Sequence, residues 1–210
     1  AAGIPLGVSI GKTKLVGVED AVADYLASLD AVAPHADYVA INVSSPNTPN
    51  LRTLQDGGAL ADLTAALVSR ASELVTRRWS SLSEQVPGEP SPEASAGSAV
   101  DDRHSPPVPI FVKIAPDLGW AQIDEVLAAC ESSGIAGMIA TNTTLGREGL
   151  AAADAGLAGQ PGGLSGAPLT ARALEIVRYV VAHTGLPVIG AGGIMTAADA
   201  TRMFDAGAAL

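Results

Sequence analysis

The sequence predicts an α/β protein, a (β/α)8 barrel that is incomplete within these 210 residues. Three observations predict it. Short apolar runs alternate with amphipathic stretches, and strand-then-helix order means parallel strands with crossover helices. The runs are apolar at successive positions, as strands buried on both faces are. Polar residues or glycines recur at the C-terminal ends of the runs: Ser9, Asn42 to Asn47, Lys113, Thr141 to Thr143, and Gly190 to Gly193. An open doubly wound sheet fits the same order, but it concentrates its site at one switch point. A barrel collects its site from all its strands, which favours the barrel.

Each element has its own signal. Pro5 to Ile10 reads as the first strand. Val18, Val22, Leu26, Leu29 and Ala33 form a helical stripe that Pro34 closes. Tyr38 to Val43 is the second strand, and Leu60, Leu63, Leu67, Leu74 and Val75 stripe the second helix. Val108 to Ile114 is a strand. Trp120, Ile123, Leu127 and Cys130 stripe a helix that ends at Gly134. Gly137 to Thr141 is a strand. Pro168 opens a helix in the first-turn position it tolerates, with Leu174, Val177 and Val181 inward and Gly185 at its end. Pro187 to Gly190 is a strand, and Thr196 caps a short helix before Gly207. Residues 79–107 are rich in Ser, Pro, Glu and Gly and lack periodicity. They read as a surface insertion at the bottom of the barrel, with His104 solvated.

Composition narrows the functions. Charged residues make up 16% and the net charge is -10, so no basic stripe awaits nucleic acid and no basic patch awaits anionic lipid. Cys130 is the single cysteine, which excludes a disulfide framework and a thiolate metal site within the chain. No apolar run approaches the roughly 20 residues of a membrane-spanning helix. Both ends are abrupt, and the chain reads as part of a longer protein.

The polar strand ends suggest an enzyme. The second strand runs into Asn42, Ser44, Ser45, Asn47 and Thr48, with Pro46 and Pro49 stiffening the exit. Lys113 lies inside an apolar strand, where a cation is costly unless something anionic meets it. The bland alternative is a lysine reaching a rim carboxylate. Gly162 to Gly166 precedes a helix and Gly190 to Ile194 ends the next strand. Such glycines let backbone N–H groups approach a phosphate, and late barrel loops commonly hold one. Asn42, Asn47 and Asn142 would suit a neutral heterocycle bearing N–H and C=O groups. Ser45 has no nucleophile elbow around it, and His35 and His183 sit at the opposite strand ends, which argues against a hydrolytic triad. These residues indicate a phosphate-bearing cofactor, a cation and a polar pocket, without naming the reaction.

At NVSSPNTPNLRTLQ, VKIAPD, ATNTT, GGLSG and GAGGI the sequence resembles the dihydroorotate dehydrogenases. Ser45 places the resemblance with the class 2, quinone-using type; class 1 members carry cysteine there. The resemblance spans nearly the whole chain except the insertion. It implies a barrel running from about the third strand to the start of the eighth. It also implies oxidation of dihydroorotate to orotate in pyrimidine (UMP) biosynthesis, with FMN as hydride acceptor and a quinone as final acceptor. Ser45 then takes the C5 proton and Thr48 helps relay it to solvent. Asn42 touches both FMN and substrate, and Asn47, Asn142 and Thr143 bind substrate. Lys113 stabilises negative charge on the reduced flavin, Thr141 contacts FMN, and Gly166 and Gly193 contact its phosphate side. Ser9 stands where an asparagine contacting FMN is frequent, and its reach is shorter. Asn50 stands where glycine is frequent, and asparagine also tolerates a left-handed backbone.

The resemblance further implies a peripheral position on the cytoplasmic side of the cell membrane, through an N-terminal segment outside this chain. The 210 residues alone are expected to bind FMN poorly and turn over little, because missing strands leave sheet edges unpaired. Two other readings compete. One is another FMN-dependent barrel oxidoreductase acting on a pyrimidine, but such enzymes favour a cysteine acid and Cys130 lies mid-helix. The other is a non-catalytic truncated barrel, against which Ser45, Lys113 and Asn142 stand.

Overall fold

The computed structural model of the chain describes residues 4–45, 51–84 and 106–210. Five strands form one parallel sheet: β1 (Gly7–Gly11), β2 (Tyr38–Asn42), β3 (Ile110–Ile114), β4 (Gly137–Ala140) and β5 (Val188–Gly190). They lie side by side in chain order, each parallel to the next. Helices α1 (Ala21–Val32), α2 (Gly57–Glu84), α3 (Trp120–Ser133) and α4 (Thr170–His183) fill the crossovers, and α5 (Ala197–Asp205) follows β5. Consecutive strands as neighbours, never doubling back, are the order of a barrel wall and not of a doubly wound sheet. Beyond α5 the chain returns to the sheet: Ala209 N donates to Val188 O and Gly190 N donates to Leu210 O, each at 2.8 Å. This is the expected start of the next strand.

The register divides the sheet into two faces. Val8, Val39, Ile110 and Val112 belong to rows facing the helices, and Val39, Ile41, Val112 and Ile114 are wholly buried there. Complete burial of side chains this size stabilises by about 1.5–3 kcal/mol each. The other face bears Ser9, Ala40, Phe111 and Ile139, with Asn42 directly beside Lys113. It is the face a closed barrel turns inward.

Several expectations need correction. The strands are not all apolar on both faces: Gly7, Ser9 and Gly11 of β1 are exposed. Helix α2 continues through Glu84, so residues 79–84 of the expected insertion are helical, while 85–105, with His104, lie outside the described residues. Pro168 opens a 3₁₀ turn, Ala167–Leu169, and α4 begins only at Thr170. The buried line of α4 is Ala173, Ile176, Val177 and Val180; Leu174 and Val181 are partly buried at its margin. Its C-cap is Thr184 in extended conformation, one residue before Gly185. Other signals hold as read. Gly134 ends α3 with φ 78°, and Thr196 caps α5 by accepting from Asp199 N at 3.2 Å.

Candidate active site

The end of β2 is held from behind. Tyr25 on α1 is wholly buried, and its hydroxyl donates to Asn42 O at 2.8 Å. Burial raises the pKa of that phenol, so it remains a donor. Asn42 Oδ1 then accepts from Ser44 N and Ser44 Oγ, each at 3.1 Å, and from Asn142 Nδ2 at 3.3 Å. Asn142 Nδ2 also donates to Ser44 Oγ at 3.0 Å. The strand ends of β2 and β4 are therefore locked together through Asn42, Ser44 and Asn142. Ser44 is wholly buried, and its backbone carries the chain to half-buried Ser45.

Lys113 stands beside Asn42 on the inner face. Among the described residues its ammonium has no hydrogen-bond or ion-pair partner, and burial pushes its pKa down from the ordinary 10.5. The rim-carboxylate alternative therefore finds no support among these residues. A half-buried cation with no anion among the described residues can meet negative charge that develops beside it.

The late strand ends converge too. Thr141 N donates to Ala191 O and Ala191 N to Ala140 O, each at 2.6 Å, joining ATNTT to GAGGI. The Ala140–Thr141 peptide is cis. Thr141 is buried, and its Oγ1 donates to Asn142 O at 3.0 Å; Thr143 is half-buried. Thr144 and Leu164 exchange backbone bonds of 3.0 and 2.7 Å, bringing ATNTT to GGLSG. Thr170 Oγ1 donates to Gly193 O at 2.6 Å, bringing GGLSG's helix to GAGGI.

The two cradle glycines differ. Gly193 has φ 68°, and a Cβ there would lie 2.4 Å from Thr170 backbone atoms. Gly166 has φ 80°, and a Cβ there would meet nothing within 4 Å. The first glycine is needed for packing. The second borders open space at the start of the turn leading into α4, which suits a phosphate.

Residues 2–210 match the family model of dihydroorotate dehydrogenase. The chain belongs to this family. It is 49% identical over 211 residues to a dihydroorotate dehydrogenase (quinone) of Chloroflexus aurantiacus, covering 100% of the chain and 51% of that relative. It is 44% identical to the Streptomyces coelicolor dihydroorotate dehydrogenase (quinone), covering 98% of the chain and 49% of the relative. A crystal structure of DHODH in complex with ferulenol from Eimeria tenella superposes with a TM-score of 0.76 at 30% identity. That superposition covers 96% of this chain and 50% of the other. The chain thus spans about half the length of the curated relatives it matches.

Within this dihydroorotate dehydrogenase scaffold, the expected site residues are distributed unevenly. Asn42, Ser45, Lys113, Thr141, Asn142 and Thr143 sit at the C-terminal ends of β2, β3 and β4. Gly166 and Gly193 lie on the two late loops. Ser9 is exposed on β1, on the same face as Asn42 and Lys113 but one row below them. Asn47, Thr48 and Asn50 lie outside the described residues.

Sequence reasoning missed several supporting side chains. Gln55 is buried; its Oε1 accepts from Ala115 N at 3.1 Å, two residues beyond Lys113. Asp117 accepts from Thr144 Oγ1 and, at 3.1 Å, from Leu145 N. Arg172 donates to Pro116 O and Leu118 O, each at 3.0 Å. The loop after Lys113 is thus tied to three other elements. Gln55 and Asp117 stand inside the motifs NLRTLQ and VKIAPD, which is the signal that could have found them.

Proposed function

We propose that the chain serves the oxidation of dihydroorotate to orotate, a step of pyrimidine biosynthesis, with FMN as hydride acceptor and a quinone as final electron acceptor. One observation carries the reading: half-buried Lys113 faces the barrel interior beside Asn42 with no anion among the described residues. The family membership and the quinone named in the relatives support the choice of substrate and acceptor.

The residues fit FMN. Gly166 and Gly193 would approach its phosphate, Lys113 and Thr141 its ring, Asn42 both ring and substrate, and Ser9 would reach it less well than an asparagine. When bound, FMN would supply the hydride acceptor for substrate C6 and the route of both electrons to the quinone.

The chain's own residues do the rest. Ser45 takes the proton from C5 as the C6 hydride leaves, so that the C5–H pair forms the new C5=C6 bond. A neutral serine hydroxyl is a poor base, so Thr48 relays the proton onward and Ser45 need not hold it. Asn142, with Asn47 and Thr143, orients the ring. Lys113 offsets negative charge where it develops. Access to a membrane-dissolved quinone would call for a peripheral position on the cytoplasmic side of the membrane.

The experiment is dye-coupled dihydroorotate oxidation by the full-length protein. Ser45→Ala should abolish turnover with flavin still bound; unchanged turnover removes Ser45 from the mechanism. Purified residues 1–210 should show a weak flavin spectrum and little turnover, because β1 and the Leu210 edge lack partners among the described residues.

A further inference from the structure

Arg147 follows the ATNTT strand end, in a loop whose 3₁₀ segment, Ala152–Leu157, has no buried residue. Its guanidinium is nonetheless fully engaged. Nε donates to Ala158 O at 3.2 Å. Nη1 donates to Leu145 O at 3.0 Å and Gly146 O at 3.1 Å, with Thr144 O at 3.5 Å. Nη2 donates to Gln160 O at 3.0 Å and Gly162 O at 2.8 Å. Every partner is a backbone carbonyl. A guanidinium has five N–H donors, so none is left over for a bound anion.

The bonds close a loop at both ends. Thr144 to Gly146 lie just after the substrate-side residues Asn142 and Thr143, while Gly162 begins GGLSG. Between these ends, Gly149 takes φ 79° and packs beside Pro168, 3.5 Å from the position its Cβ would take. Just past the last arginine contact, Leu164 pairs with Thr144, and Gly166 follows two residues later. Gly166 O then accepts from Leu169 N at 3.0 Å, and Thr170 binds Gly193 O. The backbone position of Gly166 is thus set from one side by the loop Arg147 gathers and from the other by Thr170 and Gly193.

We propose that Arg147 is a positioning residue for the phosphate end of the cofactor, fixing the turn that carries Gly166 without touching the phosphate itself. The inference rests on the FMN reading above. Without the guanidinium, six carbonyls lose their common donor and the Thr144–Leu164 backbone pair is left to join GGLSG to ATNTT alone. The ring-side residues are held independently of Arg147, Lys113 by β3 and Thr141 by its backbone bond to Ala191, and remain.

The test compares FMN with riboflavin, the same ring system without phosphate, on full-length apoprotein by quenching of flavin fluorescence. The unsubstituted protein should bind FMN at least about 100-fold more tightly than riboflavin, since phosphate bonds are charge-assisted. Arg147→Ala should cut that ratio by about tenfold or more, leaving the riboflavin Kd within about twofold. Arg147→Lys should fall between, because an ammonium has three donors and cannot span the carbonyls. It also gives the reading if Arg147→Ala does not fold. An unchanged ratio in the variants overturns the inference, as does equal weakening of both ligands, which marks a general scaffold role. No preference for FMN in the unsubstituted protein sinks the cofactor reading itself, and the inference with it.

Discussion

Asn142 Nδ2 donates to Asn42 Oδ1 at 3.3 Å, across one hundred residues of chain. The bond fixes both amides. Asn42 Oδ1 already takes two bonds from Ser44, so its oxygen is turned toward the β2 exit and its Nδ2 is left over. Asn142 has spent its Nδ2 on Asn42 and Ser44, so its Oδ1 is left over. Among the described residues neither leftover atom is bonded. The pair offers one donor and one acceptor on rigid strand ends beside Lys113. A dihydropyrimidine ring, with alternating N–H and C=O groups, presents the complementary pattern. Preorganisation of this kind lowers the ordering cost of binding.

Lys113→Met should separate stability from catalysis. The folded pKa lies below the ordinary 10.5, because burial disfavours the charged form. Below the folded pKa the ammonium is charged in both states and its desolvation lowers stability. As pH rises from the folded pKa toward 10.5 the unfolded state holds more protons, stability rises, and the penalty disappears. The ligand-free variant should therefore melt higher than the parent at neutral pH, with the gap closing as pH passes through that window. Turnover should fall by about 10²–10³, the usual loss for an electrostatic stabiliser. Melting scans across pH, paired with steady-state rates, check both. A gap that widens with pH would contradict the burial account.

The two cradle glycines should respond in opposite ways to alanine. Gly193→Ala places a Cβ 2.4 Å from Thr170 backbone in a left-handed conformation. Left-handed strain alone costs about 1–2 kcal/mol, and the clash adds to it. Gly166→Ala suffers the strain but meets nothing within 4 Å. With φ 80° and ψ -157° its backbone lies in a region that essentially only glycine adopts, so it should lose about 1–3 kcal/mol of stability. FMN affinity in that variant should drop about tenfold or more, as the methyl enters phosphate space. Urea denaturation and FMN titration of both variants distinguish the roles. Equal stability losses would remove the distinction.

The element order was legible because strand and helix periodicities differ, and the polar strand ends pointed to one face. The face of α4 was less so: apolar residues come in adjacent pairs, 173–174, 176–177 and 180–181, so two neighbouring stripes satisfy helical spacing equally. Packing against the sheet chose Ala173, Ile176, Val177 and Val180. Residues 79–84 read as loop from their serines, yet serine costs a helix only tenths of a kcal/mol and the preceding turns carry it onward. The Asn42–Ser44–Asn142 lock was invisible because it joins distant segments. Arg147 was invisible because an arginine in a glycine-rich loop looks solvated until its six carbonyl partners are brought around it.

Cys130 should be silent in both chemistry and labelling. It lies on the core side of α3, wholly buried, and burial, with a smaller push from Glu131, raises its thiol pKa to about 12. The thiolate is the nucleophile, so at pH 8 its reactive fraction is negligible. Iodoacetamide treatment of the native full-length protein, read by mass spectrometry at this residue, should show no modification until denaturant unfolds the barrel. Cys130→Ala should leave dihydroorotate turnover unchanged, while losing some stability through the small cavity. Native-state alkylation that abolishes turnover would bring back a cysteine acid, and with it the competing class of barrel oxidoreductase. Silence at Cys130 together with loss of turnover in Ser45→Ala would leave the serine as the proton acceptor.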